Sequence, residues 1–205
     1  MAILTIPPTR AEDIEPAKEF LFAVYGEGRW TEEKYLELSG HTNRPIELSE
    51  GRLIVRPMPT PDHQRIVRKL LLILNAWALT HAAEVFFAPM PVRLWRGKFR
   101  EPDVFLYTAE HRDRIAKQYG GPPDLAVEVW SPSTGDVDAD EKMIEYAQAG
   151  ISEYWIVEIE TPRLAQYVLR AGTYELQAEF GAGATVRSAI FPDLEFGLDS
   201  LYASS

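Results

Sequence analysis

Two acids and one lysine carry the chemistry that this sequence offers. Asp103 stands in Arg100-Glu101-Pro102-Asp103-Val104-Phe105-Leu106-Tyr107, at the opening of an apolar run. Glu128 stands inside a second apolar run, Pro122-Pro123-Asp124-Leu125-Ala126-Val127-Glu128-Val129-Trp130-Ser131. A carboxylate buried in such a run must be paired, hydrogen-bonded or bound to a metal. Lys142 follows in the next helical stretch. Neighbouring strands lie about 4.8 Å apart, so carboxylates on one face of such a pair can share a hard cation. Glu128 is two residues from its strand end, about 7 Å at strand rise. Lys142 is four to six residues into the helix, about 6–9 Å along it, so a helix running back over the sheet returns its ammonium to the same place. Mg²⁺ prefers oxygen ligands and keeps several waters, so Asp103, Glu128 and the backbone carbonyl of Val129 form a plausible ligand set. Such a site acts on a phosphodiester: the cation activates water and stabilises phosphate charge, and Lys142 orients the nucleophile or offsets developing charge.

The elements that must position these residues are legible from periodicity. Ile66, Val67, Leu70, Ile73, Leu74 and Trp77 recur at helical spacing and predict a long helix over residues 62–82. Short helices are expected over 16–25, 31–38 and 109–118, and a further one over 136–149 with Gly150 as its stop. Strands are expected at 46–48 and 52–55, joined by a Ser49-Glu50-Gly51 turn, and at 84–88, 92–95, 102–107, 124–130, 153–158, 163–170 and 173–177. The tail 191–201 reads as neither. A helix between the strands at 124–130 and 153–158 implies a parallel pair with a right-handed crossover. The fold class is α/β in the broad sense, an α+β arrangement with helices flanking a central mixed β-sheet. The 205 residues fit one domain over 1–205, with the Pro- and acid-rich residues 1–15 as an arm.

Composition narrows the field. There is no cysteine, which excludes disulfides, zinc–thiolate sites and thiol nucleophiles. No signal peptide is visible, and the apolar stretch 70–79 is too short to span a bilayer, so a soluble cytoplasmic protein without a membrane partner is the expectation. The net charge of −10 argues against a general nucleic-acid coat protein. Residues 41–100 nevertheless hold ten Lys/Arg against four Asp/Glu, so this segment carries +6 and the remainder −16. His63, Arg65, Arg68, Lys69 and Arg100 in it are candidate nucleic-acid contacts, if the fold gathers them; otherwise they are solvated faces.

The motif blocks resemble the Uma-type restriction endonuclease family of the PD-(D/E)XK nuclease superfamily. Pro102-Asp103 matches the PD element, and Pro122 to Val129 followed by Ser131-Pro132-Ser133-Thr134 matches the most distinctive block. Asp138, Lys142, Tyr146 and Gly150-Ile151-Ser152-Glu153-Tyr154-Trp155 match the next one. Ile46-Glu47-Leu48-Ser49-Glu50-Gly51 and His63 match more loosely, and the resemblance spans about 31–201. It implies a restriction-endonuclease-like core and a Mg²⁺- or Mn²⁺-dependent endodeoxyribonuclease, a hydrolase acting on DNA. Asp103, Glu128, Lys142 and Glu47 would be its catalytic residues. A plain D/E-X-K motif would place lysine at position 130, where Trp130 stands, and the family's displaced lysine corresponds to Lys142.

Bland alternatives stand beside each assignment. Glu128 as a structural acid paired to arginine, Asp103 as a turn cap and Lys142 as a solvated residue balancing Asp138 or Glu145 are all open. Glu47 is either a further acid of the site or an ordinary strand acid. His63 is either close to the chemistry or a first-turn residue without a role. Tyr146, Tyr154 and Trp155 read as core or wall. The whole-protein alternatives are a nuclease-like fold that binds nucleic acid or a protein without cutting, and an interaction subunit whose acids are surface charge. Cutting both strands of a duplex makes a homodimer an economical arrangement.

Overall fold

The computed structural model describes residues 29–130 and 136–203. The expected arm at 1–15, the helix at 16–25 and the Ser131-Pro132-Ser133-Thr134 segment lie outside the described residues. The first helix, α1 (Glu32–Ser39), is capped by the Thr31 hydroxyl and carries Glu32 and Glu33 in its first turn, where acids complement the helix dipole. Strands β1 (Ile46–Ser49) and β2 (Arg52–Val55) form a hairpin. Its two-residue turn has Glu50 at φ 51° and Gly51 at φ 83°, the positive pair that matches strand twist.

The long helix α2 (Pro61–Thr80) is capped by Thr60, with Pro61 in its first turn. Strands β3 (Glu84–Phe87), β4 (Val92–Trp95), β5 (Lys98–Arg100) and β6 (Val104–Tyr107) follow. Then come β7 (Leu125–Trp130), α3 (Asp136–Ala149), β8 (Glu153–Glu158), β9 (Arg163–Arg170) and β10 (Thr173–Gly181). Gly150, at φ 81°, ends α3. The tail forms β11 (Thr185–Arg187), β12 (Glu195–Gly197) and a 3₁₀ turn at Leu198–Leu201.

Six strands form the central sheet in the order β10-β9-β8-β7-β6-β3. The β7–β8 pair is parallel and its neighbours are antiparallel, so the sheet is mixed, and α3 is the crossover. A four-stranded sheet, β2-β1-β5-β4, stands beside it. Strand alternation gives the central sheet two apolar faces. Val104, Leu106, Leu125, Val127, Val129, Trp155 and Val157 pack on Ile66, Val67, Leu70 and Leu74 of α2 and on the tail. Phe105, Tyr107, Ala126 and Tyr154 face the other way, toward Tyr146 of α3 and Val92 and Leu94 of β4. The sheet is thus held between helices, as the fold class expected.

Three expectations are corrected. The predicted helix 109–118 is a 3₁₀ segment, Ala109–Arg114, broken at His111. His111 Nδ1 and the Thr108 backbone and hydroxyl are tied to Asp124 at 2.6, 2.7 and 2.9 Å, which holds the chain out of α-helical register. The strand 173–177 runs on to Gly181, because a bulge between Leu176 and Ala178 lets pairing with β9 resume. Strand β5 was not foreseen. Two of its three residues are charged, and a buried strand of that composition reads as a loop.

Candidate active site at the β6–β7 strand ends

Sheet register brings the two acids together. β6 and β7 are antiparallel with Val104 opposite Val127, and one further step sets Asp103 opposite Glu128. Asp103 directly precedes β6, and its Oδ2 accepts the Val129 backbone N–H at 2.7 Å. Its carboxylate therefore fastens the end of β7. Glu128 shares the face of Ala126 and is turned toward α3.

Lys142 and Tyr146 are four residues apart on α3 and so share one face. Both reach Glu128: Lys142 Nζ at 2.9 Å from Oε2, and Tyr146 Oη at 2.7 Å from Oε1. Lys142 Nζ also lies 3.6 Å from Glu47 Oε1 of β1. Lys142 is buried and paired across the sheet, whereas Glu145 turns to Lys98 and Arg100, so the solvated-lysine alternative is not what the structure displays. The side chain of Asp138 lies outside the described residues.

Glu47 is 1 % exposed. Arg100 Nη1 donates to its Oε2 at 2.7 Å, while the same guanidinium forks onto Glu145 at 2.6 and 2.9 Å. Arg100 is fully buried. It is therefore corrected from a candidate nucleic-acid contact to an internal clamp, since its donors face carboxylates. The remaining candidates sit on α2. Arg65 is exposed and paired with Asp62, Arg68 is exposed, and Lys69 donates to the Ala203 carbonyl.

His63 falls in the first turn of α2 because Thr60 caps its N–H at 3.3 Å. Its Nε2 is 3.1 Å from Asp103 Oδ2, while its buried Nδ1 has no hydrogen-bond partner among the described residues. The sequence left it open between a residue close to the chemistry and a first-turn residue without a role; the structure sets it both in the first turn of α2 and beside Asp103. A cleft of about 670 Å³ opens over these groups, lined by His63, Asp103, Glu128, Lys142, Glu47 and Glu101 among others.

Electrostatics differ from acid to acid. Burial raises the Glu128 carboxyl pKa and Asp103 repels its charge, with Lys142 and Tyr146 opposing. Burial would raise Glu47 too, but Lys142, Arg100 and Arg56 outweigh it and hold it at about 2. Glu101 is pushed up to about 8, by burial and then by the Glu47 charge. Among the described residues neither of its oxygens has a hydrogen-bond partner by distance and angle, while the Ile46 backbone, Lys142 and Arg56 act to lower its pKa. Burial lowers the His63 pKa, yet Asp103 and Glu128 overcome this and raise it. Tyr146 is driven up by burial and Glu128, so it remains a donor.

Sequence reasoning missed Tyr146 and Glu101 as members of this cluster. Tyr146 was signalled by its i+4 spacing from Lys142. Glu101 was signalled by an acid two positions before Asp103, at the edge of an apolar run.

The Uma2 family, described as "Putative restriction endonuclease", matches residues 32–200. The chain belongs to this family. Its fold is similar to the crystal structure of a putative nuclease belonging to DUF820 from Anabaena variabilis, with a TM-score of 0.68 at 19 % identity. That match covers 84 % of this chain and 97 % of the other. No curated protein matches the sequence.

The donor set suits a hard divalent cation. Asp103 and Glu128 offer carboxylate oxygens, and a positive ion between them would relieve their mutual repulsion in a desolvated place. Among the described residues, no three His, Asp or Glu side chains converge as a ready-made metal cluster. The set therefore needs a backbone oxygen, for which Val129 is the candidate. No helix among the described residues is long and apolar enough to cross a membrane.

Proposed function

We propose that this Uma2 protein is a Mg²⁺- or Mn²⁺-dependent DNA endonuclease, folded as one catalytic unit, that hydrolyses phosphodiester bonds at the β6–β7 cleft. The observation that carries the reading is the meeting of Asp103, Glu128 and Lys142 in one cleft, from two strands and a crossover helix. Asp103, Glu128 and the Val129 carbonyl would hold the cation. When bound, it supplies Lewis acidity toward the scissile phosphate and favours ionisation of the attacking water. Lys142 holds its ammonium beside Glu128, where it can offset charge developing on the phosphate. Tyr146 and His63 orient the two carboxylates, and Arg100 keeps Glu47 ionised next to Lys142. Arg65, Arg68 and Lys69 on α2 would meet the DNA backbone, and a homodimer would place two such sites on one duplex.

The test is cleavage of supercoiled plasmid by purified protein with Mg²⁺ or Mn²⁺, against Asp103→Ala and Glu128→Ala. Cutting by wild type alone is the expected result. Equal cutting by all three would identify a contaminant and remove the proposal. A second reading, a nuclease fold that binds without cutting, is favoured by one observation: Lys142 and Tyr146 already engage both Glu128 oxygens. Retained DNA binding with no Mn²⁺ uptake would select it.

A further inference from the structure

The cleft over Asp103 and Glu128 has an apolar wall that the proposed chemistry does not use. Pro57, Met58, Pro59, Phe87, Pro89 and Trp130 line it beside the acids. Topology sets these groups around one opening. Phe87 closes β3, at the edge of the central sheet, and pairs with Val104 of β6. The next residue, Ala88, donates its backbone N–H to the Asp103 carbonyl at 3.2 Å. Phe87 therefore stands one residue from Asp103 across the strand pair. Met58 lies between two prolines in the segment that leads to Thr60 and α2. Trp130 ends β7, two residues beyond Glu128 and so on the same face of the sheet.

Phe87 is 49 % exposed and Met58 43 % exposed. A lone exposed apolar side chain needs no explanation, but several that converge on a cleft holding polar groups describe a ligand site. Phe87, Met58 and Trp130 come from three elements, whereas a partner chain adding to the edge of β3 would draw on one. The charge of the cleft selects among ligands. Among the described residues its lining has six acids and three basic side chains, Arg56, His63 and Lys142. Each of the three is already set against an acid: Arg56 acts on Glu47, His63 meets Asp103 and Lys142 meets Glu128. Duplex DNA carries one charge per about 1.7 Å and is held by basic side chains that neutralise its phosphates. A single strand carries one per about 3.4 Å, and its bases offer faces that stack on aromatic side chains. Wall and charge thus favour the second ligand over the first.

We propose that the cleft takes DNA as an unpaired strand, with a nucleobase next to the scissile phosphate laid against Phe87 and Met58. This rests on the nuclease reading for the position of the phosphate, and it names the substrate class of that site. The substrate is a nucleotide out of its base pair, in a free single strand or in an opened stretch of duplex.

The experiment measures fluorescence anisotropy of labelled oligonucleotides of one sequence with the full chain in Ca²⁺, a hard cation that takes oxygen ligands. The three probes are a single strand, a perfect duplex and a duplex with a central unpaired bubble. Single strand and bubble should both bind more tightly than the perfect duplex. Tight binding of the single strand alone would support the inference for free strands only. Phe87→Leu keeps an apolar side chain and removes the ring. It should lower single-strand affinity by about 5- to 150-fold, the scale of one lost base–aromatic stack, and Phe87→Tyr should restore it. 2-Aminopurine in the strand adds a signature that a structural role would not move. Its fluorescence should be quenched on binding wild type or Phe87→Tyr, and less on binding Phe87→Leu. Wild-type affinity in Phe87→Leu, or a perfect duplex bound as tightly as the single strand, would overturn the inference. So would a dimer that Phe87→Leu dissociates in sedimentation while weakening all three probes equally, since Phe87 would then be a contact between copies. Cutting of paired and unpaired DNA alike with Mn²⁺, indifferent to Phe87, removes this inference and keeps the nuclease reading. Phe87-dependent binding of unpaired DNA without cutting does the opposite. No DNA binding by wild type would remove both.

Discussion

Glu128 and Glu153 are acids in adjacent, parallel, apolar strands, and they are solved in opposite ways. Glu153, at the start of β8, is fully buried. Its carboxylate accepts from Trp155 Nε1 and Gln166 Nε2 at 2.6 Å and from Ser188 Oγ at 2.7 Å. The Ile190 and Ala189 backbone N–H groups add contacts at 3.1 and 3.4 Å. Every donor is neutral, and together they tie the tail to the sheet. Glu128, near the end of β7, has two donors, one of them an ammonium, and a second carboxylate as neighbour. The first arrangement is closed and static. The second sets two carboxylates against one ammonium beside a cleft, as the proposed cation site requires. Burial alone does not distinguish a structural acid from a reactive one; the nature of its donors does.

The sharpest way to break this contrast is at Arg100, which belongs to neither type. Arg100→Met strips Glu47 and Glu145 of their shared buried guanidinium, leaving Lys142 and Lys98 as their remaining partners, and losing one partner of a buried pair costs about 3–5 kcal/mol. Chemical denaturation should read that loss whether or not the cleft is active. The next effect separates the two glutamates. Glu128→Gln should lower DNA cleavage by about 10²–10³-fold, the scale of removing one electrostatic contact to the transition state. Its stability should change less, because lost attraction to Lys142 is offset by relief from burial and from Asp103. Glu153→Gln should do the reverse, costing about 1–3 kcal/mol of stability through mismatched donors with cleavage unchanged below the transition. Equal activity losses in both variants would erase the distinction.

The sequence carried much of this contrast and stopped short at definite places. The β7–α3–β8 crossover and its parallel pair were legible because apolar period and the Gly150 stop agree. The nearness of Asp103 and Glu128 was legible because acids beside and inside apolar runs are conspicuous, whereas Lys142 was reached through the following helix and the family resemblance. The ion-pair layer was not legible. Lys98, Arg100, Glu47 and Glu145 come from three elements, and their burial depends on partners 45 to 53 residues away, which no local pattern reports. Arg100 therefore read as a basic surface residue. Glu153 was visible only as one letter of a motif, since three of its donors, Ser188, Ala189 and Ile190, lie in a tail without periodicity. The break at His111 was missed for a related reason: its cause is Asp124, just before the next strand.

Tyr146 tests whether Glu128 needs its orientation as well as its charge. Tyr146→Phe keeps the ring in the core against Tyr154 and removes only the 2.7 Å donor. Supporting contacts of this kind are worth about 10–100-fold in metal affinity or activity. Weaker Mn²⁺ binding with an unchanged melting temperature is the expected pattern. Unchanged binding would mean that Lys142 alone positions Glu128.

The smallest effect lies in pH, at His63. Burial disfavours its imidazolium, but the hydrogen bond to Asp103 and the charges of Asp103 and Glu128 win, so its folded-state pKa stands above the ordinary value near 6.5. The native state then holds the proton more tightly than the unfolded chain. The stabilisation is fully present below about pH 6.5 and is lost as pH rises through the higher folded value. Glu101, with its own raised pKa, lowers stability over part of the same range, so the two must be separated by difference. Subtracting the stability profile of His63→Gln from that of wild type isolates the histidine. The difference should favour wild type in acid and shrink toward alkaline pH. A flat difference would mean that the Asp103 contact holds His63 without charging it. The histidine would then belong with Glu153, among groups satisfied by neutral hydrogen bonds, and the charged region would end at Asp103.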